Sequence, residues 1–488
     1  MSGLMVCGTG SDSGKSTVVT GLCRLLAREG WRVAPFKAQN MANNSAVTAG
    51  GHEIGRAQYA QAEAARAEPE VAMNPVLLKP TGPRSSQVVV MGRPWATLDA
   101  ARYQDAKPDL WPVVVNALGD LRTRFDAVIC EGAGSPAEIN LLERDITNLR
   151  VAREAGFPAI LVGDIDRGGV FAALFGTVAL LPADLSSLIR GFVINKFRGD
   201  PSLLTPGFAQ LEQRTGVATL GVLPWFDDAG LDAEDSMALE RYGRTSDADR
   251  ATLLDIAAIR FPRISNFTDL DALALEPGVC LRLVGRPGDL GRPDLIILPG
   301  TKSTVADLRW LRRTGLADAI ASAAGRIPIL GICGGYQMLG RRIVDAVESA
   351  DPAAEAGLGL LPTNTTFMVE KTVRRVGGRS LGHQVDGYEI HHGITRPVAP
   401  WLELADGPEG AQVMDGGVRG TSVHGLFEND GFRRAYLGQV ADRAGSSWTP
   451  GEMFSFRSAR EDRYDRLADL MADHLDVPAI LALLKGSG

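Results

Sequence analysis

The chain is poor in histidine and cysteine: six and five residues respectively among 488. The cysteines stand at 7, 23, 130, 280 and 333, and no two have the CxxC spacing of a zinc or redox site. A His/Cys metal centre is therefore not expected, whereas free thiols in a reducing cytoplasm are. Aromatic residues make up only 6% of the chain and no basic block occurs, which argues against a nucleic-acid surface. No stretch of 18 uninterrupted apolar residues is present, so no membrane span is expected. The first residues lack a charged segment followed by a cleavable apolar run, so no secretory leader is expected either. What is present is 45% hydrophobic and 22% charged with a net charge of −7, enough for two or three domains with large cores. A homo-oligomer is left open.

The most informative stretch begins at once. Leu4 to Cys7 reads as a buried strand. Gly8-Thr9-Gly10-Ser11-Asp12-Ser13-Gly14-Lys15-Ser16-Thr17 follows, and then a helical pattern with Val18, Val19, Leu22, Leu25 and Leu26 on one side and Gly30 at its end. Strand, glycine loop, Lys-Ser and helix form a phosphate cradle. Backbone N–H groups and the helix N-terminus face the anion, Lys15 neutralises it, and Ser16 can hold Mg²⁺. Gly8 lies six residues before Gly14, one more than the G-x4-G-K-S spacing allows, and Thr9 stands where that pattern wants glycine. Thr9, Gly10, Ser13, Gly14, Lys15, Ser16 and Thr17 are the expected ATP contacts.

Residues 1–225 continue as apolar strands alternating with helices, an α/β pattern with a parallel sheet. The strands Arg32–Lys37, Ala127–Cys130, Ala159–Val162, Gly191–Ile194 and Gly221–Leu223 run into polar residues at the edge where open α/β sheets bind ligands. Glu131 is placed to bind Mg²⁺, or else to cap the next turn. Lys37 is placed to reach the γ-phosphate or a substrate carboxylate, or else to be solvated. Asn195-Lys196 resembles a base-reading element that Phe197-Arg198-Gly199 does not complete. Between the second strand and Glu131 lies an insertion rich in amides and cations. It holds Gln39, Asn40, Arg56, Gln58, Asn74 and Lys79, and composition alone leaves open whether it lines a site or is a solvated excursion.

Residues 226–252 are acidic and read as a linker. A second alternation, 253–440, has strands at Leu254–Ile259, Val279–Val284, Leu295–Leu298 and Ile327–Ile332. The last runs into Gly331-Ile332-Cys333-Gly334-Gly335, a nucleophile elbow with Tyr336–Leu339 as its helix. Gly334 and the turn at Gly300 are the expected oxyanion donors. His424 is the expected base, while His383, His391 and His392 read as ordinary polar residues. Residues 441–488 are expected to be helical and to pack back on the rest.

Together these residues resemble the cobyrinate amidase family, in which a dethiobiotin synthetase-like P-loop domain precedes a flavodoxin-like glutamine amidotransferase domain. Pro35–Met41, Glu53–Gln58, Met73–Pro80 and Tyr388–His391 carry the resemblance, which covers essentially the whole chain. It implies glutamine hydrolysis at Cys333 and an ammonia passage to the ATP site. It also implies amidation of the b, d, e and g carboxylates of adenosylcobyrinic acid a,c-diamide through acyl phosphates. ATP and Mg²⁺ would be the cofactors, the insertion would hold the corrinoid, Lys37 would serve catalysis, and Asp145 would contact substrate or Mg²⁺. The resemblance also implies a cytoplasmic enzyme. Two residues after His424, where many relatives have Glu, stands Leu426, so the site would be a Cys–His dyad or would borrow Glu389 or Glu428.

Overall fold

A computed structural model describes residues 2–82, 84–226, 254–349, 354–451 and 454–486. The expected acidic linker therefore lies almost wholly outside the described residues. Two six-stranded α/β sheets dominate. The first is parallel throughout, in the order Thr219–Pro224, Ile189–Phe197, Ala159–Asp164, Ser2–Gly8, Ala127–Glu131, Val33–Phe36. Its strands are almost uniformly buried, as expected of a sheet covered on both faces. Helix Lys15–Arg28 lies on one face, where Val18, Val19 and Leu22 pack against Leu4, Val6 and Ile129. On its outer side helix Phe456–His474 adds Ala468 and Met471 to the same cluster. Arg24, buried between the two helices, pairs with Glu461 at 2.7 Å and Asp465 at 2.8 Å.

The second sheet runs Val279–Val284, Leu254–Ile259, Leu295–Leu298, Ile329–Ile332, Val418–Thr421, Ala411–Val413, and only the last pair is antiparallel. Beside it stands a long antiparallel hairpin, Asn364–Ser380 with His383–Thr395. Helix Asp430–Ala444 closes one face and runs past residue 440, so the chain does not break structurally there.

The insertion is folded, and the solvated alternative falls away. Gln39–Met41, Val76–Pro80, Ser85–Val90 and Arg93–Asp99 form a four-stranded sheet. Ser45–Val47 pairs with Glu53–Gly55, and helix Arg56–Ala64 follows. Its amides serve this fold. Asn40 donates to Gln58 at 2.7 Å, and Asn74 accepts from the Gly55 N–H at 3.2 Å.

Candidate active sites at two sheet edges

The phosphate loop leaves the central strand of the first sheet between Ala127–Glu131 and Ala159–Asp164. Gly14 has φ +94°, a conformation open to glycine, and a Cβ there would lie 1.8 Å from the Asn195 amide nitrogen. Asn195 donates to the Ser13 carbonyl at 3.0 Å, so it buttresses the loop from beneath. Thr9 ties the loop back to Val162 through its N–H at 2.9 Å. Lys15 is buried and folds over the cradle, donating to the Gly10 carbonyl at 2.8 Å and the Gly134 carbonyl at 3.2 Å. Ser13 and Gly14 close the cradle, and Ser16 and Thr17 open the first turn of the helix.

Glu131 is buried at the neighbouring strand end. It accepts from Ser16 Oγ at 2.8 Å, Lys37 Nζ at 2.9 Å and Gln61 Nε2 at 2.6 Å. Burial works against its charge, but Lys37, Gln61 and Ser16 hold its carboxyl below the ordinary carboxylate range. Lys37 is thus an ion-pair partner of Glu131 here, neither solvated nor extended. A hydroxyl and a carboxylate side by side at the phosphate loop suit a hard cation that takes its remaining ligands from phosphates and water. Among the described residues no group of three or more His, Cys, Asp or Glu side chains could hold a metal by itself.

Next to this cradle opens a cavity of about 570 Å³. Gln39, Tyr103, Lys107, Gly134, Asp145 and Asn148 line it, with apolar Met41, Leu78, Val88 and Leu98. Asp145 braces its own loop, accepting from Thr147 N–H at 2.8 Å and Asn148 N–H at 3.1 Å, while still facing the cavity. Of the six insertion residues expected to bind substrate, only Gln39 lines this space. Asn40 and Asn74 make internal hydrogen bonds, and Gln58 accepts from Asn40 through Oε1. Arg56 is buried against Glu428, 3.1 Å away, and stacks over Tyr59. Lys79 points to the opposite side.

At the edge of the second sheet Cys333 has φ +49° and ψ −108°, the strained turn that an elbow requires. His424 lines the same cavity as Cys333, and its Nδ1 lies 2.6 Å from Asp269 Oδ2. Burial disfavours its charge, yet Asp269 and Cys333 push its pKa up to about 10. The Tyr388 ring stacks on His424 with centroids 5.4 Å apart. Gly334 packs against Thr301, and Gly300 lies under the His424 ring, where a Cβ would sit 3.1 Å from Cε1. Thr301, rather than Gly300, lines the cavity.

The acid sought near Leu426 is therefore Asp269, and a dyad is not what the fold builds. Glu389 instead accepts from Arg374 at 2.5 Å, and Glu428 is shared by Arg56 and Arg460. Asp269 was not legible from the sequence motif because it lies 155 residues upstream. It sits in the turn Phe267–Leu270 beyond the strand Leu254–Ile259, the same kind of position that singled out Glu131. His391 and His392, read as ordinary, both line the Cys333 cavity.

The insertion joins the two sites. Phe267 N–H donates to Asn44 Oδ1 at 3.2 Å, and Ser45 N–H donates to Asn266 Oδ1 at 3.1 Å. The turn that carries Asp269 is thus clamped by the insertion. Strand Val76–Pro80 goes further. Its alternate side chains Leu78 and Pro80 face the large cavity, while Lys79 between them faces the Cys333 cavity. One strand separates the two spaces.

Comparison with known proteins agrees with this layout. Residues 4–238 match the CobQ/CobB/MinD/ParA nucleotide binding domain, and residues 255–432 match the CobB/CobQ-like glutamine amidotransferase domain. A cobyric acid synthase of Frankia casuarinae is 54% identical over 99% of this chain and 96% of its own length. Those of Nocardia farcinica and Streptomyces coelicolor are 54% and 52% identical, each over 99% of this chain and 96% of their own. The chain belongs to the cobyric acid synthase family. As a member of that family it is an ATP-dependent amide ligase, with a nucleotide-binding domain preceding a glutamine amidotransferase domain. Among the described residues of this cobyric acid synthase family member, no helix is long and apolar enough to cross a membrane.

Proposed function

We propose that the enzyme hydrolyses glutamine at Cys333 and passes the ammonia across the Val76–Pro80 strand to the ATP site. There it amidates the b, d, e and g carboxylates of adenosylcobyrinic acid a,c-diamide, giving adenosylcobyric acid. The observation that carries this is the partition: both cavities abut the same strand, on alternate faces.

The chemistry follows from the residues. Cys333, as thiolate, attacks the glutamine amide carbon, and backbone N–H groups at Gly334 and Thr301 stabilise the oxyanion. The C–N bond breaks as His424, held protonated by Asp269, delivers its proton to the departing nitrogen. Water then cleaves the thioester and glutamate leaves. In the large cavity a substrate carboxylate oxygen attacks the γ-phosphorus of ATP, and the bond to ADP breaks. This removes the negative charge that repels nucleophiles and installs phosphate as a leaving group. Ammonia attacks the acyl carbon, loses a proton, and phosphate departs. Lys15 balances the phosphate charge, and Ser16 and Glu131 would hold Mg²⁺, which supplies further positive charge beside the phosphates. Free ammonia is scarce at neutral pH, so releasing it one strand away raises its effective concentration.

The corrinoid is assigned to the cavity of about 570 Å³, with Gln39, Tyr103, Lys107 and Asp145 as its polar contacts. Its mixed apolar and polar lining suits a macrocycle fringed with carboxylates and amides. The test is mass analysis of products from defined corrinoids with ATP, Mg²⁺ and glutamine. The a,c-diamide should gain amides at the four named positions. Amidation of unmodified cobyrinic acid at a and c alone would instead identify a cobyrinic acid a,c-diamide synthase.

A further inference from the structure

Five charged side chains gather around the Cys333 cavity, and their charges do not cancel. Lys79, Lys302 and Lys371 line it, and each is buried or nearly so. Facing them are two carboxylates. Glu348 also lines the cavity and is taken by Lys302. Glu53, fully buried behind the wall, is shared by the other two lysines. Its Oε2 accepts from Lys371 at 2.5 Å, and its Oε1 accepts from Lys79 and, at 2.7 Å, from Ser45. Of the other titratable groups, the Cys333 thiolate faces His424 rather than the lysines. Asp269 is matched by protonated His424. Burial lowers the pKa of His392, which therefore stays neutral. His391 lies 3.6 Å from Glu389, which Arg374 also holds.

Around Glu53 itself two lysines share one carboxylate, which leaves a local positive charge in a place with little water. That is costly, and it is relieved by an anion. Lys371 registers the cost: burial and the nearby Lys79 and Lys302 outweigh Glu53 and bring its pKa down to about 8. The two lysines that share Glu53 come from different halves of the chain. Lys79 lies on the insertion strand Val76–Pro80 and Lys371 on the strand Asn364–Ser380.

We propose that Lys79 and Lys371, drawn together around Glu53, form the subsite for the α-carboxylate of glutamine, so that the insertion of the ATP-dependent half completes the glutaminase. This rests on the assignment of Cys333 as the glutaminase nucleophile. The substrate chemistry fits this local charge: glutamine is a zwitterion, and its carboxylate, which diverges from the ammonium at the α-carbon, is separated from the reacting amide carbon by a three-carbon chain. The cavity as it stands measures about 30 Å³, room for roughly two waters. Glutamine must therefore displace side chains, and those at the seam between the two halves are the ones it meets.

The test compares two substrates on the purified full chain: L-glutamine, and 4-aminobutanamide, which keeps the amine and the reacting amide but lacks the carboxylate. The ratio of their kcat/KM values does not depend on the fraction of enzyme that is folded. The unaltered chain should prefer glutamine by at least about tenfold, the scale of a charge-assisted hydrogen bond. Lys371→Met and Lys79→Met should raise the glutamine KM about ten- to hundredfold, move kcat little, and collapse the ratio towards unity. An unaltered chain with no preference, or variants that keep the original ratio, overturns the subsite. Absence of any glutamine hydrolysis in the unaltered chain overturns the Cys333 assignment and the subsite with it.

Discussion

Replacing Asp269 by Asn asks whether the glutaminase works through a charged histidine. The carboxylate lies 2.6 Å from His424 Nδ1 and also accepts the Gly425 N–H at 2.8 Å. Asn has nearly the same shape and can keep one of these contacts, but it carries no charge. His424 is buried, and its pKa of about 10 exists because Asp269 and Cys333 overcome the cost of that burial. A rise of that size from 6.5 is worth roughly 5 kcal/mol, at about 1.36 kcal/mol per pKa unit. Without Asp269, burial lowers the pKa and the ring is largely neutral at pH 7.5. The departing nitrogen then lacks its proton donor, and the rate should fall by about 10²- to 10⁴-fold.

The assay is glutamate release between pH 6 and 10. The unaltered enzyme should hold its rate through the neutral range and decline towards pH 10, where His424 gives up its proton. The variant should be weak at neutral pH and recover only towards acid. Amidation supported by added ammonium should persist. Thermal melts give a second readout. His424 binds its proton more tightly folded than unfolded, so its stabilising contribution is complete below pH 6.5 and is lost as pH rises towards 10. Asp269→Asn should flatten that fall. An unchanged pH–rate profile, or equal loss of glutamine- and ammonium-supported amidation, would refute the reasoning.

Lys15→Ala should abolish amidation with either nitrogen source, because Lys15 folds over the cradle between the Gly10 and Gly134 carbonyls; ammonium-dependent turnover in that variant would remove the phosphate role. Asn44→Ala strips the acceptor from the buried Phe267 N–H, a loss of about 1–3 kcal/mol. Glutamine hydrolysis should drop while ammonium-supported amidation stays, and equal kinetics in both would show that the clamp does not position Asp269. Burial raises the Glu409 pKa from 4.5 to about 7 although Ser422 and Thr421 donate to it. It binds a proton more tightly folded than unfolded, so its ionisation removes up to about 3 kcal/mol of stability between pH 4.5 and 7. Glu409→Gln should make the melting temperature less dependent on pH across that window, as calorimetry at pH 5 and 8 would show.

Most strands of the two main sheets were legible because each is a short run of apolar residues without alternation; Ala411–Val413 and Val418–Thr421 were not, since Gln412, Arg419, Gly420 and Thr421 break any such run. The ends of the others were less legible. Ile189–Phe197 extends three residues beyond the apolar stretch that ends at Ile194, since Asn195 still pairs with Asp164 and Phe197 with Pro224, while Asn195 and Lys196 serve the phosphate loop. Cys333 and His424 stood out because a glycine-framed thiol between strand and helix has a strong local signature. Asp269 had none: it is one acid among many until the fold carries its turn to His424. The insertion misled for a related reason. Its amides and cations look alike in sequence whether they grip a ligand or the protein itself; Asn40 grips Gln58, and Asn74 grips the backbone at Gly55, Lys37 and Val76. Lys79 faced away from the expected cavity because neighbouring residues of a strand point to opposite sides.

The outer wall of the phosphate-loop helix is contributed by residues 456–484, which are synthesised long after it. Gly21 lets the two helices touch, since a Cβ there would lie 2.7 Å from Met471. A nascent chain can thus fold the amidotransferase sheet while the phosphate-loop helix still shows a bare apolar flank. Biogenesis closes like a clasp, a late helix fastening an early one, and a ribosome that stalls before residue 456 would release a protein whose nucleotide cradle has no back.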